Sequence, residues 1–343
     1  MKNHILSIAT FLSVLLLCLS WQAQTAHGQE GDLWITFEPG EGPGNGHHIV
    51  LVSGDEEYRS EETLPMLAKI LSTHHGFKTT VLFAIDPETG YIDPDNQTNI
   101  PGMKNLQQAD LMILFTRFRE LPDEDMAYVE EYLLAGKPVI GLRTATHAFY
   151  YQRNPDSPYA GYDWRSDVPG WEDGFGRQIL GETWVDHHGI HFEEGTRGLV
   201  NGIPERNDHP VLRGVSDLWG PTDVYGTREL EGNVEVLVWG QSTLGLSQDA
   251  PVNWEKSIMP IAWTKDYRIE GGSTGKTFTS TMASSVDFES EDLRRLIVNA
   301  SYWLLEMGDQ VSDKSNVDIV GDYEPTMFGF GEFRQGMTPS DYK

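Results

Sequence analysis

Four short apolar runs dominate the first half of the chain, each closed by a polar residue or glycine. Residues 48–53 (HIVLVS) end at Gly54, Lys78 to Ala84 follow, then Ala109 to Thr116 (ADLMILFT), then Pro138 to Leu142. Runs of four to eight apolar residues without alternation predict buried parallel strands. Between the first two, Glu61-Glu62-Thr63 opens a stretch with Leu64, Leu67, Ala68 and Leu71 at helical spacing, ending near Gly76. Its acidic first turn suits the helix dipole. Pro122 leads a second helix over Asp123 to Leu134, and Ala135-Gly136-Lys137 stops it before the fourth strand. Strands alternating with helices predict βαβ units and an α/β fold with a flavodoxin-like, doubly wound parallel sheet.

The second half is less periodic. Tyr151 to Asp173 is dense in Tyr, Trp, Pro and Asp, and reads as a loop inserted over the carboxyl edge of the sheet. Trp171 to Leu180 predicts a short helix and Thr183 to Phe192 an extended segment. Val234 to Trp239, Met259 to Thr264 and Lys276 to Met282 predict three more strands, and Glu289 to Glu306 a closing helix. Asp86 to Met103 reads as a loop and Gln29 to Gly46, rich in Gly, Pro and Glu, as an extended arm. The tail from Val317 to Lys343 has neither pattern, and its aromatics read as anchors on the domain surface. The organisation expected is a leader over 1–28, an arm over 29–46, an α/β domain over 47–308 and a tail over 309–343.

Composition narrows the chemistry. Lys2, the apolar run Ile5 to Leu19 and Ala26-His27-Gly28 have the layout of a cleavable secretory signal, so a secreted or periplasmic protein is expected. The one cysteine, Cys18, lies in that leader, so the mature chain would have no disulfide and no thiol chemistry. Formal net charge is −27, and becomes −28 without Lys2, the leader's only charged side chain. Such a surface disfavours nucleic acid and anionic lipid as partners and suits neutral or cationic ones, here a small molecule. No later stretch reaches the roughly 20 apolar residues of a membrane helix, so a soluble mature protein is expected.

In open α/β sheets, side chains leaving the carboxyl ends of central strands line the ligand crevice. Arg143 and His147, in the polar turn after the fourth strand, are therefore the first candidates. The stretch Gly141-Leu-Arg-Thr-Ala145, running on to His147, resembles the strand-to-turn segment of the ThuA-like (trehalose utilisation) family, of the class I glutamine amidotransferase-like superfamily. Asn207 to Gly214, with His209-Pro210-Val211, Asp223-Val224-Tyr225, Pro260-x-x-Trp263 and Gly275-Lys276-x-Phe278 resemble further family motifs in the same order. Asp223-Val224-Tyr225 is one residue short of the usual spacing, and Ala283-Ser284 stands where most members have Gly-His. Arg143 stands where a true amidotransferase has its cysteine, which excludes glutamine hydrolysis through a thioester. The resemblance implies the α/β fold and a role in disaccharide use, with oxidised (keto) sugars among the substrates it suggests.

Asp186-His187-His188-Gly189-Ile190-His191-Phe192-Glu193 is the densest titratable cluster. On a strand, His187, His191 and Glu193 would share one face, either as divalent-metal ligands or as a hydrogen-bonded polar wall. His191-Phe192-Glu193 also mimics the H-x-E pair of amidotransferases, but it follows the elbow too soon. The reading is acid/base chemistry by His147, His191 and Asp223, with Arg143, Asp55, Glu57, Tyr58, Trp164, Trp171 and Tyr225 contacting a carbohydrate and no cofactor required. His147 has a bland alternative as a turn residue, and Asp55 to Arg59 as a solvated loop. The rival functions are a non-catalytic carbohydrate-binding accessory protein and a metal-dependent hydrolase built on the His187–Glu193 cluster.

Overall fold

The computed structural model describes residues 33–343, so the leader lies outside the described residues. The strands are β1 (Trp34–Phe37), β2 (His48–Gly54), β3 (Lys78–Leu82), β4 (Leu111–Thr116), β5 (Val139–Leu142), β6 (Thr196–Leu199), β7 (Trp219–Gly220), β8 (Val234–Ser242), β9 (Met259–Tyr267) and β10 (Gly275–Ser280). Three α-helices accompany them: α1 (Ser60–His75), α2 (Asp123–Leu134) and α3 (Glu291–Leu304). One sheet holds all ten strands in the order β1-β3-β2-β4-β5-β10-β9-β8-β6-β7. Its centre, β3-β2-β4-β5-β10, is parallel. Antiparallel strands extend it on both sides, with β1 on β3 and β9, β8, β6 and β7 beyond β10.

The apolar runs are buried on both faces, as period-two geometry requires of a covered sheet. In β2, Ile49 and Leu51 join the core under α1 and α3, while Val50 and Val52 join the one under α2. α1 ends at Gly76, whose φ of 77° supplies the left-handed cap that other residues adopt at a cost. α3 begins at Ser290, whose side chain accepts from Leu293 N.

Five expectations need correction. The sheet is mixed, because the later strands return antiparallel instead of through helical crossovers. The arm carries β1, paired in register with β3, so Trp34 and Phe37 gain a sheet edge that their sequence does not advertise. The helix expected over Trp171 to Leu180 shrinks to one π-helical turn, Gly176–Leu180. Residues 183–192 are irregular, with bends at 188–189, a turn from 191 and a single bridge from His187 to Tyr225, so they are not a strand of alternating faces. The tail is less superficial than its composition suggests, because Val317, Phe328 and Phe333 are buried. Among the described residues, no helix is long and apolar enough to cross a membrane.

Candidate functional site

Three parallel strands, β2, β4 and β5, end on the same edge of the sheet, and their following loops meet. After β2, the Asp55 carboxylate accepts from the N–H groups of Glu57 (2.8 Å) and Tyr58 (2.5 Å) and from the Thr144 hydroxyl of the loop after β5. After β4, Arg117 pairs with Glu56 and lies 3.8 Å from Glu57, while Arg119 holds Glu56 at 2.6 Å. After β5, Arg143 turns the chain at φ 39°. Arg59, Phe118, Arg143 and Phe192 all have positive φ without being glycine, and all four belong to these loops or to the one facing them. Such strain persists only where surrounding contacts enforce it, and it gathers at functional sites.

Arg143 is fully buried. Its guanidinium sits between two phenol rings, 4.2 Å from the centre of Tyr58 and 4.1 Å from that of Tyr225. It donates to the Thr281 carbonyl (2.7 Å), the Tyr58 hydroxyl (3.1 Å), and both the carbonyl and the carboxylate of Asp223 (3.1 Å each). Asp223 is thus fixed from behind by a cation, and from the front by two imidazoles. His187 Nδ1 lies 2.6 Å from one carboxylate oxygen and His191 Nδ1 2.9 Å from the other. Burial opposes ionisation of Asp223, but hydrogen bonds from His187 and His191 and the Arg143 charge outweigh it, holding the carboxyl well below its ordinary range. His191 Nε2 also stands 3.0 Å from Glu57, an ion pair out of line for a hydrogen bond. Burial pulls the His191 pKa down, yet its hydrogen bond to Asp223 and its pairing with the Asp223 and Glu57 carboxylates reverse this and raise it to about 9.

Gly189 makes this approach possible. A Cβ there would stand 2.7 Å from Asp223 Cβ and 3.1 Å from Val224 N, closer than packed atoms tolerate. His187 and His191 keep 31% and 22% of their side chains exposed, with ring centres 4.6 Å apart. They form the accessible face, while Asp223, Arg143, Tyr58 and Tyr225 stand behind it. Ligand atoms of His187, His191 and Asp223 lie within 4.8 Å of one another, near enough to share a cation.

The geometry sorts the expected residues. His191, Asp223, Arg143, Tyr58, Tyr225, Glu57 and, through Thr144, Asp55 converge. Arg143, Asp55 and Tyr58 are buried in the framework and do not face an opening. His147 is buried too, with Phe118 (5.0 Å), Trp184 (5.5 Å) and Trp164 (6.2 Å) around its ring. Burial, reinforced by the Arg117 and Arg143 charges, lowers its pKa well below the ordinary value, so it is a neutral ring behind an aromatic wall. Trp164 belongs to that wall, whereas Trp171 packs on Tyr162 at 4.3 Å and makes no ring contact with it. Glu193 is exposed and is not one of the residues gathered around Asp223.

Arg117, Trp184 and the tail residue Phe328 were not anticipated. Arg117 directly follows a central strand, so the sheet-edge rule that selects Arg143 also selects it. Phe328, 5.3 Å from His191 and 5.5 Å from Tyr58, comes from a segment with no periodic pattern.

Residues 49–304 match the family model ThuA, described as trehalose utilisation. Among solved structures, the chain is similar to a ThuA-like protein from Bacteroides uniformis ATCC 8492, with 14% identity and a TM-score of 0.45 over 78% of this chain and 95% of that one. A ThuA-like protein from Parabacteroides merdae ATCC 43184 shows the same identity and score over 83% and 97%. No curated protein matches the sequence.

Proposed function

The chain belongs to the ThuA (trehalose utilisation) family, and from that premise we propose that it transforms a sugar or sugar derivative in carbohydrate catabolism by proton transfer at His187 beside a charged His191. The observation that carries this reading is one buried carboxylate, Asp223, gripping two part-exposed imidazoles through their Nδ1 atoms. A hydrogen bond from Nδ1–H to a carboxylate fixes the tautomer, leaving Nε2 of His187 as the basic nitrogen. His191, with one nitrogen on Asp223 and the other facing Glu57, is suited to stay protonated and to set a fixed positive charge beside His187. The pair therefore offers a base beside a fixed positive charge. A proton moved from a sugar hydroxyl, or from carbon beside a keto group, needs both.

The aromatic wall supports a carbohydrate. The indole N–H groups of Trp164 and Trp184 are buried without an acceptor among the described residues, so what the wall would offer a sugar is ring faces for its C–H groups. Within the same reading the domain is wound as a flavodoxin-like sheet, residues 151–173 are its insert, and the mature chain acts outside the cytoplasm, starting near Gln29. N-terminal sequencing of exported protein that found Met1 intact would remove the last of these.

A screen of disaccharides and keto-sugars with wild type, His187→Ala and Asp223→Asn tests the chemistry. Wild type should turn over at least one compound, and each variant should lose about 100-fold or more in kcat while keeping its circular dichroism spectrum. Equal turnover by folded His187→Ala would overturn the assignment. The clustering of ligand atoms favours one second reading, a divalent ion held by His187, His191 and Asp223 in a hydrolase. Elemental analysis, together with activity before and after chelation, separates the two. Full activity in metal-free protein removes the second reading.

A further inference from the structure

We propose that the C-terminal segment around Phe328-Gly329-Phe330, beyond the family-matched residues, completes the site with an aromatic platform for a second sugar ring. The proposal rests on the sugar reading above and narrows its substrate to a disaccharide or glycoside.

The segment is tied to the site at defined points. Thr326 donates through its N–H and its hydroxyl to the Glu62 carboxylate, at 2.8 Å each, and its carbonyl accepts from the Ser285 hydroxyl at 2.7 Å. Gly329 N donates to the Glu57 carbonyl at 2.8 Å, so the tail is fastened to the residue whose carboxylate pairs with His191. Phe328 is buried and stacks on Phe192, with centres 4.9 Å apart and planes 14° from parallel. Phe192 follows His191 directly, with its ring centre 4.1 Å from the imidazole and its backbone held at φ 65°. The strained backbone and the buried Phe328 together hold an aromatic ring against the reactive histidine, where a polar residue would be easier to keep in water.

Two of these rings remain open to solvent. Phe192 is 47% exposed and Phe330 58% exposed. Gly329, at φ 147°, lies alongside Phe192: a Cβ there would be in ordinary contact with that ring, at 3.9 Å. The Arg117 guanidinium lies 5.0 Å from the centre of Phe330 and 4.4 Å from that of Phe118, joining the tail to the wall around His147. Phe192 thus adjoins the histidine pair directly, and Phe330 lies two residues beyond Phe328 on Arg117, which is 3.8 Å from Glu57. A single sugar ring engaged by His187 and His191 would leave the exposed rings unused, whereas a glycosidically linked neighbour would lay its C–H face on them. Neutral sugar also suits a chain of net charge −27.

Isothermal titration of trehalose, maltose and cellobiose against glucose tests the platform, using full-length wild type, Phe330→Ala, Phe192→Ala, Phe330→Trp and His187→Ala. Wild type should bind at least one disaccharide about tenfold more tightly than glucose, the scale of one aromatic contact. Phe330→Ala, which removes an exposed ring, should erase most of that preference and leave glucose affinity unchanged, while Phe330→Trp should retain it. Phe192→Ala should also lose the disaccharide preference, and His187→Ala should weaken both kinds of sugar alike. An unchanged preference in folded Phe330→Ala and Phe192→Ala would overturn the platform and leave the sugar reading standing. Absence of binding by wild type to every sugar would overturn the sugar reading and the platform with it.

Discussion

Arg143 shows how far residue type alone carries. A cation at the end of a central strand suggests a substrate clamp, yet its guanidinium is enclosed by Tyr58 and Tyr225 and spends its donors on Thr281, Tyr58 and Asp223. It acts on the site by fixing Asp223. Removing one member of a buried ion pair leaves the other uncompensated, at a cost of about 3–5 kcal/mol. Arg143→Ala should therefore appear first as a lowered denaturant midpoint and only then as lost activity. A midpoint equal to wild type would show that Asp223 does not depend on it. Asp55 is similar, since its carboxylate is occupied by Glu57 N, Tyr58 N and Thr144. His147 was legible as a strand-end residue, but its burial depends on Phe118 and Trp184, which come from separate loops.

At the scale of elements, α1 links the site loop to the tail and carries two groups that titrate in opposite senses. Burial raises the Glu61 pKa from 4.5 to about 8, helped by the charge of Glu62. Its folded value lies above its unfolded one, so its contribution is full below pH 4.5 and is lost as pH rises through about 8. Burial lowers His75 from 6.5 to about 4, only partly offset by its bond to the Asn316 carbonyl. That contribution is present above pH 6.5 and is lost as pH falls towards about 4. Urea unfolding of Glu61→Gln should accordingly show less loss of stability between pH 5 and pH 9 than wild type does, a window spanning the Glu61 shift. Identical pH dependence would refute the Glu61 assignment. The helix itself was legible, because its apolar spacing and the stop at Gly76 are local features. The short strands β6 and β7 were not, since four and two residues carry no period of their own.

On the scale of the whole molecule, the tail is part of the folded unit. Phe328 joins the core under α1 and α3, and Arg294 donates to the Val317 carbonyl at 2.9 Å. Truncating a buried phenylalanine costs about 3–5 kcal/mol, so Phe328→Ala should lower the melting temperature of the entire protein in one transition. Limited proteolysis of wild type should leave residues 317–343 attached, checked by mass spectrometry. Early release of an intact tail fragment would contradict this.

The sequence by itself determined the buried parallel strands, the three α-helices and the sheet edge where their loops end, because these follow from local periodicity and helix stops. It also narrowed the chemistry, since Arg143 stands at the elbow and the one cysteine is at position 18, far from it in sequence. The tertiary structure decided which side chains face out. His187 and His191 meet Asp223 because Gly189 lets two loops touch, while His147, Tyr58 and Arg143 sink behind them. It also brought Phe328 beside His191 from 137 residues away along the chain (328 − 191 = 137). Burial and partnership between distant segments are properties of packing, and no local pattern of residues encodes them.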